Sequence, residues 1–382
     1  MTFSYRSATS SSLLLTTLEF NGNTFSLVER VNILEAAESF NANLLGQVRV
    51  QQAKECLPSK IVVEVFTDDR AVGHGSAIGP SIVDFEEDVM TLDLQRTLIQ
   101  PFAGRVDVVI WIEPGTKLDL LYIDVTHLGV LSGARSKKSS CKAAVTTGAD
   151  LTYPYCPHEN KAFFESKNIT IVAGSNSVKG IFPLYDTLDV RTTSGNIDIQ
   201  VSPKGVSDPI QPANLMLHTR SGKINSGLLS LNVPDRNYTN TISSYSGSIN
   251  AVILHGNATT MRTISSSIRG NIYPYGFNGT RTFIDTRTAS GHLNLTVNPS
   301  LSHPEDAIDR LSTNHRTTSG SQAVSYPDTY QGTVEASSAS GSVDIQWDGF
   351  KVIEDQNGGD LRNDGQQEVH VRVAPLLRTQ TA

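Results

Sequence analysis

The chain has 382 residues, of which 18% are charged, and a formal net charge of −7. This acidic balance argues against a dedicated nucleic-acid-binding protein, which is normally basic, so we expect no nucleic-acid partner. The low charge, the 29 glycines and the abundant Ser and Thr favour an all-β protein with many corners over a helical one.

The first 135 residues are expected to open a larger β structure. Residues 1–30 are rich in Ser and Thr and are expected to be loose or to form a frayed strand, and VNILEAAESF (31–40) predicts a short helix. Residues 31–135 then predict an N-terminal β cap or the first coils of a stack. The phrases that alternate apolar and polar residues as strands do are LLGQVRV (44–50), KIVVEVF (60–66), VMTLDL (89–94), RVDVVIWI (105–112) and KLDLLYIDV (117–125).

The chain shows no membrane or export signal. No stretch reaches the roughly 18 apolar residues that a transmembrane helix needs. The start, MTFSYRSATSSSLLLTTLEF, has an apolar run too short for a secretory signal. We therefore expect no transmembrane segment, and the compartment stays unknown.

Residues 136–353 repeat one phrase, a Ser-Gly pair followed two places later by an apolar residue. Clear copies are LDVRTTSGNIDIQV (188–201), NTISSYSGSINAVI (240–253) and TVEASSASGSVDIQW (333–347). The mean spacing of the copies is about 24 residues. The nine residues at the corner position are Gly148, Asn176, Gly195, Gly222, Gly247, Ser266, Gly291, Gly320 and Gly341.

The pattern around each Gly predicts a bent strand. Before it, apolar and hydroxyl residues alternate with polar ones, as in Val190 and Thr192, so every second residue is expected to be buried. Between Ser194 and Ile197 this alternation shifts by one residue. We expect the chain to turn there, with Gly supplying a positive φ and the preceding Ser joining an inner ladder of hydroxyls. The apolar position is displaced by one residue in the copies at Gly148 and Gly320, which predicts a β-bulge.

A single bent strand cannot bury its own apolar face, but stacked coils can. We therefore predict an all-β, parallel β-solenoid, with a polar loop over 354–367 and a terminal strand and tail over 368–382. The structural corners are expected at Gly195, Gly222, Gly247, Gly291, Gly320 and Gly341.

The chain resembles an adhesin-like family of unknown function. The resemblance rests on Gly-x-Val-x-Val near Gly46, on the repeated S-G-x-I-x-(I/V) phrases, and on the ending SGSVDIQWDGFKVIED (340–355), which is similar to fungal members. It covers roughly residues 40–355. It implies a repetitive β-solenoid with an adhesin-like role, and it brings no catalytic residue.

The sequence offers no catalytic motif, no cofactor site and no metal site. VGHGSAIG (72–79) has a glycine spacing one residue too long for a dinucleotide loop, and no helix pattern follows it. DFEED (84–88) is expected to be a solvated acidic loop, with weak Ca²⁺ binding as the alternative. Cys56, Cys141 and Cys156 lack metal-ligand spacing, so we expect free thiols.

Two functions remain open at this point. The first is a non-enzymatic adhesin-like structural or binding protein that presents repetitive β faces to a glycan, a cell surface, another protein or a second copy of itself. The second is a polysaccharide-active β-helix enzyme, a lyase or hydrolase. That chemistry needs neighbouring carboxylates, but Asp198 and Asp344 stand at opposite ends of their column, and Asp189 and Asp285 are several coils apart.

One column of residues is a candidate ligand-binding stripe. The outward residues four places before the corners include Arg191, His218, Arg262, Arg287 and Arg316. Such a stripe would attract an extended polyanion, for example an acidic glycan. The alternative is a set of ordinary surface arginines paired with Asp189 and Asp285, and such exposed pairs contribute little.

Overall fold

The computed structural model contains β-strands joined by bends, and the residues that it describes contain no helix. By their contacts they form two compact units, which are treated separately below. The first is Met1–Pro183 with Val190–Gly195 and Ile199–Ser202, and the second is Leu184–Asp189, Asn196–Asp198 and Pro203–Ala382. The described residues are 12–19, 23–32, 44–53, 59–67, 82–86, 89–95, 104–133, 164–206, 211–229, 233–275, 281–301, 308–347, 353–354 and 367–372.

The first unit is built from strands β1–β11, and the strand phrases predicted within residues 44–125 are confirmed. The bounds are β1 (Ser12–Glu19), β2 (Thr24–Asn32), β3 (Leu44–Gln52), β4 (Lys60–Thr67), β5 (Ile82–Glu86), β6 (Val89–Gln95), β7 (Gly104–Ile112), β8 (Lys117–Val125), β9 (Gly129–Ser132), β10 (Glu165–Ala173) and β11 (Val178–Leu184).

The coils of this unit are not stacked in chain order. In one sheet the order is β4-β7-β3-β9-β11, and in the other it is β10-β8-β2-β6. The coil β2–β3 therefore lies between β6–β7 on one side and β8–β9 on the other, with parallel pairing throughout. The antiparallel strands β4 and β5 pair with β7 and β6.

The described part of residues 1–30 is strand, one of the two conformations predicted for it, and contains β1 and most of β2. Strand β2 continues to Asn32, so the helix predicted over 31–40 does not begin at Val31, and residues 33–40 lie outside the described ranges. Parallel pairing of β2 with β8 puts Phe25 against Leu121 and Leu27 against Ile123, all fully buried. This packing decides the conformation, since burial in a sheet overrides weak local propensity.

The second unit is a regular stack of parallel strands, as a β-solenoid requires. One sheet has the order β15-β17-β19-β21-β23-β25 and the other β14-β16-β18-β20-β22-β24, to which β27 and β26 add antiparallel. The last residue of β11, Leu184, belongs to this second unit, and strands β12 (Thr187–Thr192) and β13 (Ile197–Pro203) contain residues of both units. The remaining bounds are β14 (Ala213–Thr219), β15 (Ile224–Leu228), β16 (Tyr238–Ser244), β17 (Ile249–His255), β18 (Ala258–Thr263), β19 (Ile268–Pro274), β20 (Thr282–Thr288), β21 (Leu293–Val297), β22 (Ile308–Ser319), β23 (Gln322–Tyr326), β24 (Tyr330–Ser340), β25 (Val343–Trp347), β26 (Ile353–Glu354) and β27 (Gln367–Arg372).

The core of the second unit consists of columns in which equivalent residues of successive coils pair directly. Leu217, Ile242 and Met261 form one such column. The column two places after the corner contains Ile224, Ile249, Ile268, Leu293, Gln322 and Val343. The pairing of Gln322 with Leu293 and Val343 shows that the bulge predicted at Gly320 is wrong, because a polar residue simply occupies the apolar position. The irregularity of this region lies instead between Asp309 and Ser312, where Arg310 has a φ of 60°.

The Ser-Gly phrases turn the chain as predicted, but the reason for glycine differs. Each described copy bends between a strand of one sheet and a strand of the other. Positive φ occurs at Gly320 and Gly341 but not at Gly195, Gly222, Gly247 or Gly291. At Gly247 a Cβ atom would overlap the carbonyl oxygen of Gly222 in the coil before, and at Gly195 and Gly291 it would overlap the equivalent carbonyls of Asn176 and Ser266. Close stacking of one corner on the next therefore excludes a side chain there.

Several sequence predictions concern residues outside the described ranges. These are the corner at Gly148, the 72–79 loop, most of the 354–367 loop and the thiols of Cys56, Cys141 and Cys156. Of the acidic cluster, Asp84 and Glu86 lie in strand β5 and not in a loop, because β5 pairs antiparallel with β6. Glu87 and Asp88 fall outside the description.

Candidate binding groove

A groove runs across the coils of the second unit, beside their corners, with a volume of ≈ 690 Å³. Three columns of residues line it. The cationic wall, four places before each corner, is His218, Ser243, Arg262, Arg287, Arg316 and Ser337. The floor, three places before, is Ser244, Thr263, Thr288, Thr317 and Ser338. The apolar wall, two places before, is Tyr245, Ile264, Ala289, Thr318 and Ala339.

The cationic wall brings together four of the five residues of the predicted stripe. Arg262 pairs in register with Arg287, and Arg287 with Arg316. His218 and Ser243 pair in the same way at the other end of the wall. Successive guanidinium groups therefore start from backbones about 4.8 Å apart. Arg191 belongs to the first unit and is not among the residues that line the groove.

The carboxylate of Asp285 forms ion pairs with two of these arginines. Asp285 accepts a hydrogen bond from Arg262 at 2.9 Å and another from Arg287 at 3.0 Å. The Asp285 side chain is only 11% exposed, whereas the arginine side chains are 53% and 46% exposed. The predicted pairing of Asp285 with stripe arginines is thus confirmed, and this shared carboxylate reduces the repulsion between like charges stacked on neighbouring strands.

The cationic wall keeps an excess of positive charge. Arg316 donates from Nε to the amide oxygen of Asn314 at 3.1 Å, and no carboxylate of a described residue forms an ion pair with it. No acidic residue of the described chain lines the groove. By register, the carboxylates next to Arg316 are Asp285 and Glu335, which pair with Asn314 from the two neighbouring strands. The groove therefore presents cations at a spacing that an extended anionic chain can follow.

The floor is a ladder of buried hydroxyls, four of which donate to a corner carbonyl of the coil before, while Thr317 donates to the Gly320 carbonyl of its own corner. Thr263 donates to the carbonyl of Gly247 at 3.2 Å, and Thr288 donates to that of Ser266 at 2.8 Å. Ser338 donates to the carbonyl of Gly320 at 3.2 Å. The sequence predicted a hydroxyl ladder at the serine directly before each Gly, and this is wrong. Those serines, such as Ser246 and Ser265, are exposed, because the bend starts one residue earlier and turns them outward.

The apolar wall was missed by the sequence analysis. Tyr245 is 56% exposed and Ile264 is 45% exposed, although both are large apolar side chains. They follow buried Ser244 and Thr263 directly, so strand parity places them outside. The signal that would have found them was a large apolar residue at a position that parity assigns to solvent.

Comparisons with known proteins assign no family to the chain. No family model and no curated protein matches the chain. The chain is similar to a solved structure described as "Putative lipid binding protein from Parabacteroides distasonis ATCC 8503", at 9% sequence identity and a TM-score of 0.26. The match covers 86% of this chain and 93% of that chain, but at this TM-score it carries no argument about fold or function.

The described residues contain neither a candidate membrane-spanning helix nor a cluster of metal-ligand side chains. No apolar helix of membrane-spanning length is present in that part of the chain. Nor do three or more His, Cys, Asp or Glu side chains converge there as metal ligands would.

Proposed function

We propose that this chain is a non-enzymatic, adhesin-like binding solenoid whose groove holds an extended polyanion. The observation that carries the proposal is the cationic wall, in which arginines of successive coils stand in register beside an open groove. The resemblance of the Ser-Gly repeats to adhesin-like sequences supports the same role.

The energetics favour an anionic ligand. Arginines stacked on neighbouring strands repel each other, and Asp285 compensates only Arg262 and Arg287. Anionic groups of a ligand would accept hydrogen bonds from the guanidinium forks, often two at a time. A row of like charges in a cleft also concentrates oppositely charged molecules near it and speeds their association.

Binding assays with single and double arginine variants test this function. Arg316→Ala is the cleanest variant, since it removes a cation without leaving a partner carboxylate unpaired. Both Arg316→Ala and the double variant Arg262→Ala, Arg287→Ala are expected to weaken binding of a polyuronate and of a polyphosphate. Binding by the parent is expected to weaken as salt rises from about 0.05 M to about 0.5 M, because screening shortens the reach of the charges.

The matched control is Arg269→Ala, which removes an exposed arginine of strand β19, outside the groove lining. Its binding is expected to equal that of the parent. Melting curves of all variants establish that a loss of binding is not a loss of folding. The function proposed here is wrong if neither polymer binds the parent at low salt, or if the groove variants bind as Arg269→Ala does.

A further inference from the structure

We infer that the apolar wall selects the class of polyanion, and that the ligand is a polyuronate glycan, whose sugars each carry an acidic group and present a carbon–hydrogen face. This inference rests on the proposed function, because it concerns the same groove. It adds Tyr245 and Ile264 as specificity-determining residues.

The two walls of the groove are chemically unlike. On one side each ligand group would meet Arg262, Arg287 or Arg316, and on the other it would meet Tyr245, Ile264 or a small residue such as Ala289. A ligand that is anionic all round would leave the exposed surfaces of Tyr245 and Ile264 without a favourable contact. A ligand with one apolar face would bury them and gain free energy from their removal from water.

The side chains along the apolar wall favour a sugar over a nucleic acid. Sequence-tolerant binding of single-stranded nucleic acids relies on successive aromatic side chains, one for each stacked base. Here the only aromatic residue of the apolar wall is Tyr245, followed along the stack by Ile264, Ala289, Thr318 and Ala339. One aromatic ring followed by aliphatic surface suits the carbon–hydrogen faces of pyranose rings, which pack on both.

The spacing of the cations agrees with this ligand. Neighbouring coils advance by about 4.8 Å, which is close to the advance per residue of an extended glycan. A polyuronate carries one carboxylate on each sugar, so its negative charges recur along the chain on the same length scale as the coils. The shared carboxylate of Asp285 lies beside Arg262 and Arg287 and keeps their guanidinium groups in place between the two coils.

The experiment compares two probes of matched charge, an oligogalacturonate and an inorganic polyphosphate, which has no carbon–hydrogen face. The double variant Tyr245→Ser, Ile264→Ser is expected to bind the oligogalacturonate about tenfold more weakly, the loss expected when an aromatic contact and its neighbour are removed. Its affinity for polyphosphate is expected to equal that of the parent. Tyr245→Phe, which keeps the ring, is expected to bind both as the parent does.

Phe283→Ser is the matched control, since Phe283 is an exposed aromatic residue (51%) outside the groove lining. Equal losses for both probes in the Tyr245→Ser, Ile264→Ser variant, or no loss for either, would overturn the inference. Tighter binding of single-stranded oligothymidylate than of oligogalacturonate would do so too. In these cases the proposed polyanion-binding function still stands if the arginine variants bind more weakly than the parent. If the arginine variants bind as the parent does, both the polyuronate inference and the proposed function are wrong.

Discussion

The Nε2 atom of His315 lies 2.7 Å from the phenolic oxygen of Tyr326, inside the core of the second unit. The other ring nitrogen lies 2.7 Å from the hydroxyl of Thr286, on the neighbouring strand. A third hydroxyl, that of Thr313, lies 2.6 Å from the Tyr326 oxygen. The imidazole is therefore enclosed and has hydrogen-bond partners at both nitrogens in its neutral form. Burial lowers the pKa of His315 to about 4, because a buried imidazolium loses its hydration.

The first prediction is a loss of stability in acid. Burial also lowers the pKa of His255, to about 3. In the unfolded chain both histidines take up a proton near pH 6.5. Below that pH the unfolded state binds more protons than the folded state, so the free energy of unfolding falls as the pH drops from about 6.5 toward 4. The loss is expected to be on the order of a few kcal/mol and to recover when the pH is raised again.

Denaturant unfolding at pH 7 and pH 5 measures this loss. His315→Gln keeps a side chain that can hydrogen-bond but removes the titrating group, so the difference between the two pH values is expected to shrink. His218→Gln is the control, because His218 is exposed on the cationic wall, and the difference is expected to stay as in the parent. A His315→Gln variant with the parent's full pH dependence would contradict the assignment.

The second prediction concerns the close approach of the corners. Gly247→Ala is expected to lower the free energy of unfolding by about 2 kcal/mol, since overpacking forces the backbone apart. Its Cβ would overlap the carbonyl oxygen of Gly222. Gly205→Ala is the matched control, because its Cβ would meet only a side-chain carbon of Pro234, at 3.9 Å. That variant is expected to be neutral or slightly stabilised, and equal losses for the two variants would show that corner contact does not require Gly247.

Local patterns of the sequence were enough to predict the strands and corners of the second unit. Alternation with a period of two identifies a buried face without knowledge of the rest of the chain. The repeat then aligns equivalent residues, so that the pairing of Arg262 with Arg287 follows from counting back from each corner. This is why most of the cationic wall could be predicted before the groove itself was known.

Other features depend on contacts that a local pattern does not contain. The position of β2 between β6 and β8 depends on which coil stacks on which, and every one of these strands has a similar alternation. The exposure of Ser246 depends on where the bend begins. The bend begins one residue earlier than the change in the buried alternation of the sequence indicates. Gln322 resembled a slipped register because one polar residue in an apolar column breaks the pattern in the same way as a bulge does.

The third prediction tests the hydroxyl floor. Thr288→Val keeps the shape of the side chain but removes the hydrogen bond to the carbonyl of Ser266, which is 2.8 Å long and partly buried. The free energy of unfolding is expected to fall by about 1 kcal/mol, the usual contribution of one such bond. Thr260→Val is the control, since Thr260 lies on the outward side of strand β18. Thermal or denaturant unfolding compares the two, and a loss confined to Thr260→Val would contradict the role of the floor.

The last prediction concerns Gln322, which stands in the apolar column between Leu293 and Val343. Its side-chain nitrogen donates to the Thr317 hydroxyl at 3.1 Å and to the Ser337 carbonyl at 2.5 Å. Its side-chain oxygen is buried and has no hydrogen-bond partner among the described residues. A buried polar atom of this kind has lost its hydration without gaining a hydrogen bond, which lowers the free energy of unfolding.

Gln322→Leu is therefore expected to raise the free energy of unfolding by about 1 kcal/mol, because it removes the unpartnered oxygen and restores the apolar column. Thr317 keeps its bond to the Gly320 carbonyl, at 2.9 Å, in this variant. Gln322→Glu has nearly the same shape but places a charge in the core, and it is expected to lower the free energy of unfolding by about 3 kcal/mol at neutral pH. Denaturant unfolding of the three proteins checks the order of stability, Leu above Gln above Glu. If Leu is as destabilising as Glu, the two hydrogen bonds of Gln322 outweigh its buried oxygen.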